Sequence, residues 1–579
     1  MPRRAPTTLP PRLALLVLFL VAGPLLAGAC RSPSGPGEEA AAPRTPVAAP
    51  GRLEAAVVRH DGIALRWEPV PGATGYRVYR DGAPIGRAAE PLFLDLGGDL
   101  VRSASREYAV AAVGAGEIES ERSEPVRTPT EMPRDAVPRP VFDERPDLVD
   151  LYYAAWADAW SRVVAGDAAR GFPFPHFAPA GDVRVTDAWL SVELARHAYP
   201  LLPIEGLLDA FHFHAFHAAR AGTDEPVETL PCPVPAAPAT APPPPSAPGA
   251  LASAEWRLFT AKGDLERLRR VRGSLESRFA RARDLERGRV AYASELAIAA
   301  DALAKIALAL GDESGHRAWS AARAEIRDRV NARHWDETAQ IYRDLAADGS
   351  FVEAATLDSF HPLAAGIPDR TRAAALVFHL EDRAGFKRAH RFPGVAASDP
   401  RYRADGGRGP EEGAVDEYRN ALLSRGLAAY GYEDLARAVA LEHLGRVAAV
   451  RADTGRFFDG YAPDVAAPSP GAREGIAAAP VAALLSRLCG VEADAAAGTL
   501  RFRVGSLERH GAERLRVGPR VVSIVCLARR SETDPCDVEV ETDGPIALLV
   551  STPWAEFPIP RVEAGRSRFR LMRPPGSSP

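Results

Sequence analysis

RYRADGGRGPEEGAVDEYRNALLSRGLAAYGYEDLARAVALEHLGRVAAVRADTGRFFDGYAPD, residues 401–464, decides the fold. It opens as a loop rich in Gly and Arg. Two helical segments follow, with apolar residues recurring at the 3.6-residue period, and Gly455 stops the second. An aromatic and acidic turn comes next: Phe457-Phe458-Asp459-Gly460-Tyr461. Loop, helical hairpin and carboxylate-bearing turn form one unit, and the regions on either side repeat its helical period.

From about residue 146 to 490 the same period predicts roughly twelve helices. They lie near 147–165, 186–199, 203–220, 249–260, 263–284, 290–311, 314–334, 354–365, 368–381, 416–431, 432–453 and 474–489. A small hairpin around 341–344 separates two of them. Twelve helices in consecutive pairs suit an all-α (α/α)6 toroid of six helical hairpins over 140–495, whose inner ring leaves a central pit. The Pro-rich run 231–248 reads as an excursion from this domain at the mouth of the pit.

Residues 496–579 return to period two. Runs at 500–504, 520–525, 538–540, 546–550 and 568–571 predict a small antiparallel β-domain. Residues 51–130 also alternate in short runs (63–67, 75–80 and 106–113), with Asp81-Gly82 as a hairpin signal, and predict a β-sandwich.

The first residues resemble a bacterial lipoprotein signal. Arg3, Arg4 and Arg12 precede an apolar run over 13–26 that ends Leu26-Ala27-Gly28-Ala29-Cys30. This implies a signal peptide over 1–29, lipidation of Cys30, a linker over 30–50 and attachment to a bacterial cell envelope. Plain cleavage and an uncleaved anchor are the alternatives. Export would allow disulfides, and Cys526 and Cys536 are placed to pair across a hairpin. No cysteine has metal-site spacing.

Composition excludes little. The chain is 46% apolar and 25% charged, enough for large cores. A net charge of −5 and no clustered basic face argue against nucleic acid as a partner. There is no phosphate loop, nucleophile elbow or dinucleotide motif, so no cofactor is expected. His212, His214 and His217 have no i, i+4 pair, and packing explains them better than a metal.

The stretch 401–464 resembles a signature of glycoside hydrolases related to trehalases, mannosylglycerate hydrolases and processing α-glucosidases. There the loop reads roughly W-R-G-x-x-W and the turn E-N-Y-x-P, with the Glu as catalytic base. Here Arg408-Gly409 and Tyr461-Ala462-Pro463 stand, both loop tryptophans are absent, and Asp459 holds the base position. Phe386, His390 and Pro393 fit a further element, F-x-x-x-H-x-x-P, without implying a role for the histidine. The run WEPVPGATGYRVYRDG at 67–82 resembles a fibronectin type III module, with Trp67, Tyr76 and Tyr108 as core aromatics and a protein as its possible partner.

What the first resemblance implies is inverting hydrolysis, which needs a second carboxyl about 6.5–9.5 Å from the base. Relatives place the acid in a G-M-D-N-S-P-like loop between the fifth and sixth helices. Here residues 279–290 leave no room for it, and Asp284 and Glu286 are the local carboxyls. They stand among arginines, which would lower a carboxyl pKa where a general acid needs it raised. An Asp at position 459 also reaches about 1.5 Å less far than a Glu. Phe174, His176, Asp187, Trp189, Glu255, Trp256, Arg408 and Tyr461 are the candidates for gripping a sugar, each equally readable as scaffold. The expectation is a carbohydrate-binding domain whose hydrolytic activity is weakened or lost. An active inverting glycosidase with Asp459 as base, and a purely structural protein, are the alternatives.

Overall fold

A computed structural model describes residues 47–96, 100–167, 175–177, 181–221, 229–230, 247–284 and 288–575. The expected signal peptide, Cys30, nearly all of the linker, and residues 231–246 of the Pro-rich run lie outside them. Twelve α-helices are present among the described residues. They are α1 (Pro146–Ser161), α2 (Val185–Ala195), α3 (Ile204–Ala221), α4 (Ala250–Lys262), α5 (Leu265–Asp284) and α6 (Val290–Ala309). The second half comprises α7 (Glu313–Arg333), α8 (His361–Ala365), α9 (Arg370–Leu380), α10 (Glu417–Ala429), α11 (Glu433–Thr454) and α12 (Ala479–Ala483). Helix α12 runs on into one π-helical turn at Leu484–Leu488.

Composition sorts these helices into two layers. In α2, ten of eleven residues are buried, and in α6 thirteen of twenty. In α7, Ile326 and Val330 alone are buried. A helix that is apolar nearly all round must be covered on every side, whereas one with a single narrow apolar stripe lies at the surface. The even-numbered helices accordingly pack side by side in the order α2, α4, α6, α8, α10, α12, and α12 returns to α2. The odd-numbered helices pack outside them, so the sequence alternates inner and outer helices around a closed ring.

Tyr418 of α10 blocks the middle of this ring. Its edge packs on Trp189 of α2, with centroids 5.2 Å apart, and its hydroxyl donates to Glu295 of α6 at 2.8 Å. The ring therefore has two separate ends, one at the N-termini of the inner helices and one at their C-termini.

The N-terminal β-region is two sheets. One has the order Glu54–Arg59, Gly62–Arg66, Leu92–Asp95; the other centres on Gly75–Arg80 and Glu107–Val113. The turn at Asp81-Gly82 has φ of 49° and 82°, the two positive values that a type I′ hairpin requires. Trp67, Tyr76 and Tyr108 are buried between the sheets.

The C-terminal β-region contains two sheets. One runs Val491–Asp494, Thr499–Arg503, Ile546–Ser551, Glu556–Val562, and its middle pair is parallel. The other ends in a strand from far upstream: Arg139–Phe142, just before α1, pairs with His510–Val517. This region is thus fastened to the start of the helical ring through the backbone. Cys526 and Cys536, for which pairing across a hairpin was one possibility, are buried free thiols.

Candidate active-site pit

The loop at 401–416 and the turn at 457–461 are clasped by a two-residue antiparallel pair, Val415 with Tyr461 and Asp416 with Gly460. The N–H of Glu417 donates to the Asp459 carbonyl at 3.1 Å. Gly475 makes this possible, because a Cβ there would sit 2.7 Å from the Asp459 nitrogen. Below the clasp, His390 meets His443 at 2.7 Å, and His443 meets Glu417 at 2.9 Å. The second Glu417 oxygen accepts from the Ala479 backbone N–H at 3.0 Å, and the backbone N–H of His390 donates to the Pro463 carbonyl at 2.7 Å. This buried chain ties α10, α11, α12 and the turn together. Burial holds the His390 pKa well below its ordinary value.

The clasp forms one wall of a pit of about 100 Å³ at the N-terminal ends of the inner helices. Five carboxylates line it: Glu295, Asp358, Glu411, Asp416 and Asp459. Arg184, Arg408, Arg419, His361 and Tyr418 share the lining. Helix N-termini favour negative charge, which accounts for the acidic bias of this end.

Asp459 is tightly held. Its Oδ2 accepts from Arg473 Nε at 2.8 Å and from Arg184 Nη1 at 3.3 Å, and its Oδ1 accepts from the Arg473 backbone N–H at 3.0 Å. Arg473 Nη2 also donates to Asp187 at 2.7 Å. Asp187 in turn caps α2, accepting from the Arg184 N–H at 2.7 Å. Burial opposes the charge on Arg473, but the carboxylates of Asp187 and Asp459 outweigh it and raise its pKa.

Two more carboxyls diverge in their proton affinity. Asp416 caps α10, accepting from the Arg419 N–H at 2.8 Å; burial, reinforced by the charge of Asp459, raises its pKa. Asp358 is buried too, yet Arg419 at 3.2 Å, with His361 and Arg289, brings its pKa below the ordinary value. Burial pushes His361 down to about 4, so it is neutral at pH 7.

The sequence candidates scatter. Asp459 and Arg408 line the pit. Asp187 stands behind the wall and reaches it through Arg473. Trp189 is buried under Tyr418, with its indole N–H 3.2 Å from Ser253. Tyr461 is buried, its hydroxyl accepting from the Phe458 N–H at 3.2 Å. Glu255 points away from the pit, accepting from both Arg267 Nε at 2.8 Å and Nη2 at 2.6 Å and meeting His212 at 3.0 Å. Trp256 packs on Phe259 at the other end of the ring. His176 is buried in the two-residue strand His176–Phe177. Asp284 ends α5; its side chain, Glu286 and Phe174 lie outside the described residues.

Sequence reasoning passed over Glu295, Asp358, Asp416, Arg419 and Arg473. A signal existed for Glu295, the first acid in VAYASELAIAADAL, residues 290–303, with apolar residues on both sides of it. Such a residue on an otherwise apolar helix is buried only when partnered. Arg473 carried no local signal, because both of its carboxylate partners are distant or across a turn.

Residues 213–473 match the model of the mannosylglycerate hydrolase MGH1-like glycoside hydrolase domain. An uncharacterized protein of Borreliella burgdorferi is 26% identical over 142 residues, 24% of this chain and 30% of that protein; the match thus spans less than a third of the relative's own length. The α-L-rhamnosidase of Dictyoglumus thermophilum shares the fold at a TM-score of 0.52 and 13% identity, over 91% of this chain and 64% of that one. The GH63 mannosylglycerate hydrolase of Thermus thermophilus, in complex with glucose, aligns at a TM-score of 0.43 and 17% identity, over 58% of this chain and 99% of that one.

Proposed function

The helical ring of this chain is a divergent glycoside hydrolase domain of the clan that holds the mannosylglycerate hydrolases, and on that premise we propose that its pit binds a small saccharide and hydrolyses it weakly or not at all. The state of Asp459 carries this reading. A general base must offer a lone pair to water, and Arg473 and Arg184 already occupy three of the roughly four acceptor sites of Asp459, two on Oδ2 and one on Oδ1. The lining also offers a sugar few aromatic faces, with Tyr418 the largest ring on it. Charged and hydrogen-bonding groups dominate, and these orient a polyol without cleaving it.

The test is to incubate the full chain with trehalose, mannosylglycerate and other small α-glycosides. Calorimetric binding is expected for at least one, with product release equal in the parent and in Asp459→Asn. Turnover that vanishes in Asp459→Asn would overturn the reading.

A second reading, an active inverting hydrolase, is favoured by Glu295. Glu295, on the inner helix α6, lines the same pit as Asp459 on the turn after α11, which supplies a second carboxyl. In this reading Glu295 donates the proton to the leaving oxygen and Asp459 activates water. It predicts that Glu295→Gln and Asp459→Asn each abolish turnover.

Anchoring at a bacterial cell envelope through Cys30 completes the proposal and rests on residues 3–30 alone. Metabolic labelling with a fatty acid should mark the parent and not Cys30→Ser.

A further inference from the structure

The opposite end of the ring holds a cavity of about 500 Å³ between the C-termini of the inner helices and the strands Val491–Asp494 and Thr499–Arg503. Its lining includes Arg257, Arg425, Arg487 and Arg501. Two of these cations have clear partners. Arg257 Nε and Nη2 donate to Glu193 at 2.7 and 3.0 Å, and its Nη1 to Glu492 at 3.2 Å. Arg487 lies 3.6 Å from Glu433.

Arg425 differs. Its nearest carboxylate is Glu193, 4.0 Å away, which already takes Arg257 and has Arg196 at 3.4 Å. Its guanidinium sits 5.5 Å from the Trp189 ring and donates no hydrogen bond among the described residues. Four cations (Arg196, Arg257, Arg425 and Arg487) thus surround three carboxylates (Glu193, Glu433 and Glu492). The Arg425 side chain is 34% exposed, so solutes can reach it from the cavity.

We propose that this cavity is a binding site for a small oxyanion, a phosphate or carboxylate group, with Arg425 as its principal donor. A guanidinium presents five donors in a planar fork that matches such an anion, and among the described residues nothing accepts from those of Arg425. An added negative charge would balance the cluster. This site is separated from the pit by Tyr418 and does not depend on the saccharide reading.

The full chain is treated with phenylglyoxal, which modifies accessible arginines, in chloride, inorganic phosphate or acetate at one ionic strength. Mass spectrometry should show Arg425 modified at least tenfold more slowly in phosphate or acetate than in chloride. Equal rates in all three would overturn the proposal. As a second measure, phosphate should raise Tm in the parent and in the pit variant Arg408→Met, but not in Arg425→Met. A rise that persists in Arg425→Met also overturns it. The protection experiment needs no variant and stands even if Arg425→Met fails to fold.

Discussion

The two ends of the helical ring are built on the same six inner helices, yet they carry opposite chemistry. The N-terminal end gathers Glu295, Asp358, Asp416 and Asp459, and the C-terminal end gathers Arg257, Arg425 and Arg487. Helix polarity sets this bias, since N-termini stabilise anions and C-termini cations. What separates the ends is how their charges are paired. At the pit, Arg473 and Arg184 from outside the inner helices, with Arg419 of α10, pair with the carboxylates. At the far end, the surplus lies with the cations. A scaffold can therefore keep its shape while the charge at each mouth is retuned by residues from other elements.

The largest test of this contrast is at the far end. Glu193→Ala removes the carboxylate shared by Arg257 and Arg196, stripping buried Arg196 of its ion pair and leaving Arg257 with Glu492. Breaking a buried pair costs about 3–5 kcal/mol, so the denaturant midpoint should fall steeply. An unchanged midpoint would mean that solvent already compensates these arginines.

Next comes the clamp itself. Arg473→Met strips the cation from buried Asp187 and leaves Asp459 with Arg184 as its charged partner, at a cost of about 2–4 kcal/mol. If the clamp is what idles Asp459, the variant gains measurable hydrolysis of small α-glycosides while losing stability. Loss of stability with no gain in turnover would place the deficiency elsewhere in the pit.

Asp416 gives a pH signature. Because its folded-state pKa is raised, the native state holds the proton more tightly than the unfolded chain does. Its contribution is favourable below the ordinary carboxyl pKa and becomes a penalty as pH rises through the folded value. Asparagine caps a helix equally well and carries no charge. Asp416→Asn should therefore unfold at a higher denaturant concentration than the parent near neutral pH, by on the order of 1 kcal/mol, with the gap closing toward about pH 3. A gap that widens on acidification would contradict the assignment.

The smallest effect is expected at the rim. Lys305 pairs with Asp301 at 2.6 Å, with the lysine 47% exposed. Lys305→Met should change stability by less than about 0.5 kcal/mol. A larger loss would show that the rim belongs to the buried cluster.

Much of the architecture was legible in the chain. All twelve helical segments appear, and the excess of apolar residues in segments such as 290–309 is what makes a helix inner. The 354–365 segment shrinks to a 3-10 turn, Leu357–Phe360, followed by α8, and the 474–489 segment forms helix only from Ala479. Pro362 and Pro480 lie at the start of these helices, where a missing N–H costs nothing. The candidate site was harder to read. Aromatic residues expected to face a sugar, Trp189 and Tyr461, are buried instead, because a large ring on an inner helix or under a clasped turn gains more from packing than from an open pit.

Periodicity and punctuation, which act over a few residues, fixed the helices, their pairing and the carboxylate-bearing turn from sequence alone. Only the tertiary structure decided which charges meet. Arg473 and Asp187 are 286 residues apart, Tyr418 and Glu295 are 123 apart, and the strand Arg139–Phe142 finds its partner at His510–Val517. Such pairings depend on closure of the ring, which brings distant segments within hydrogen-bond reach, and no local pattern records that closure.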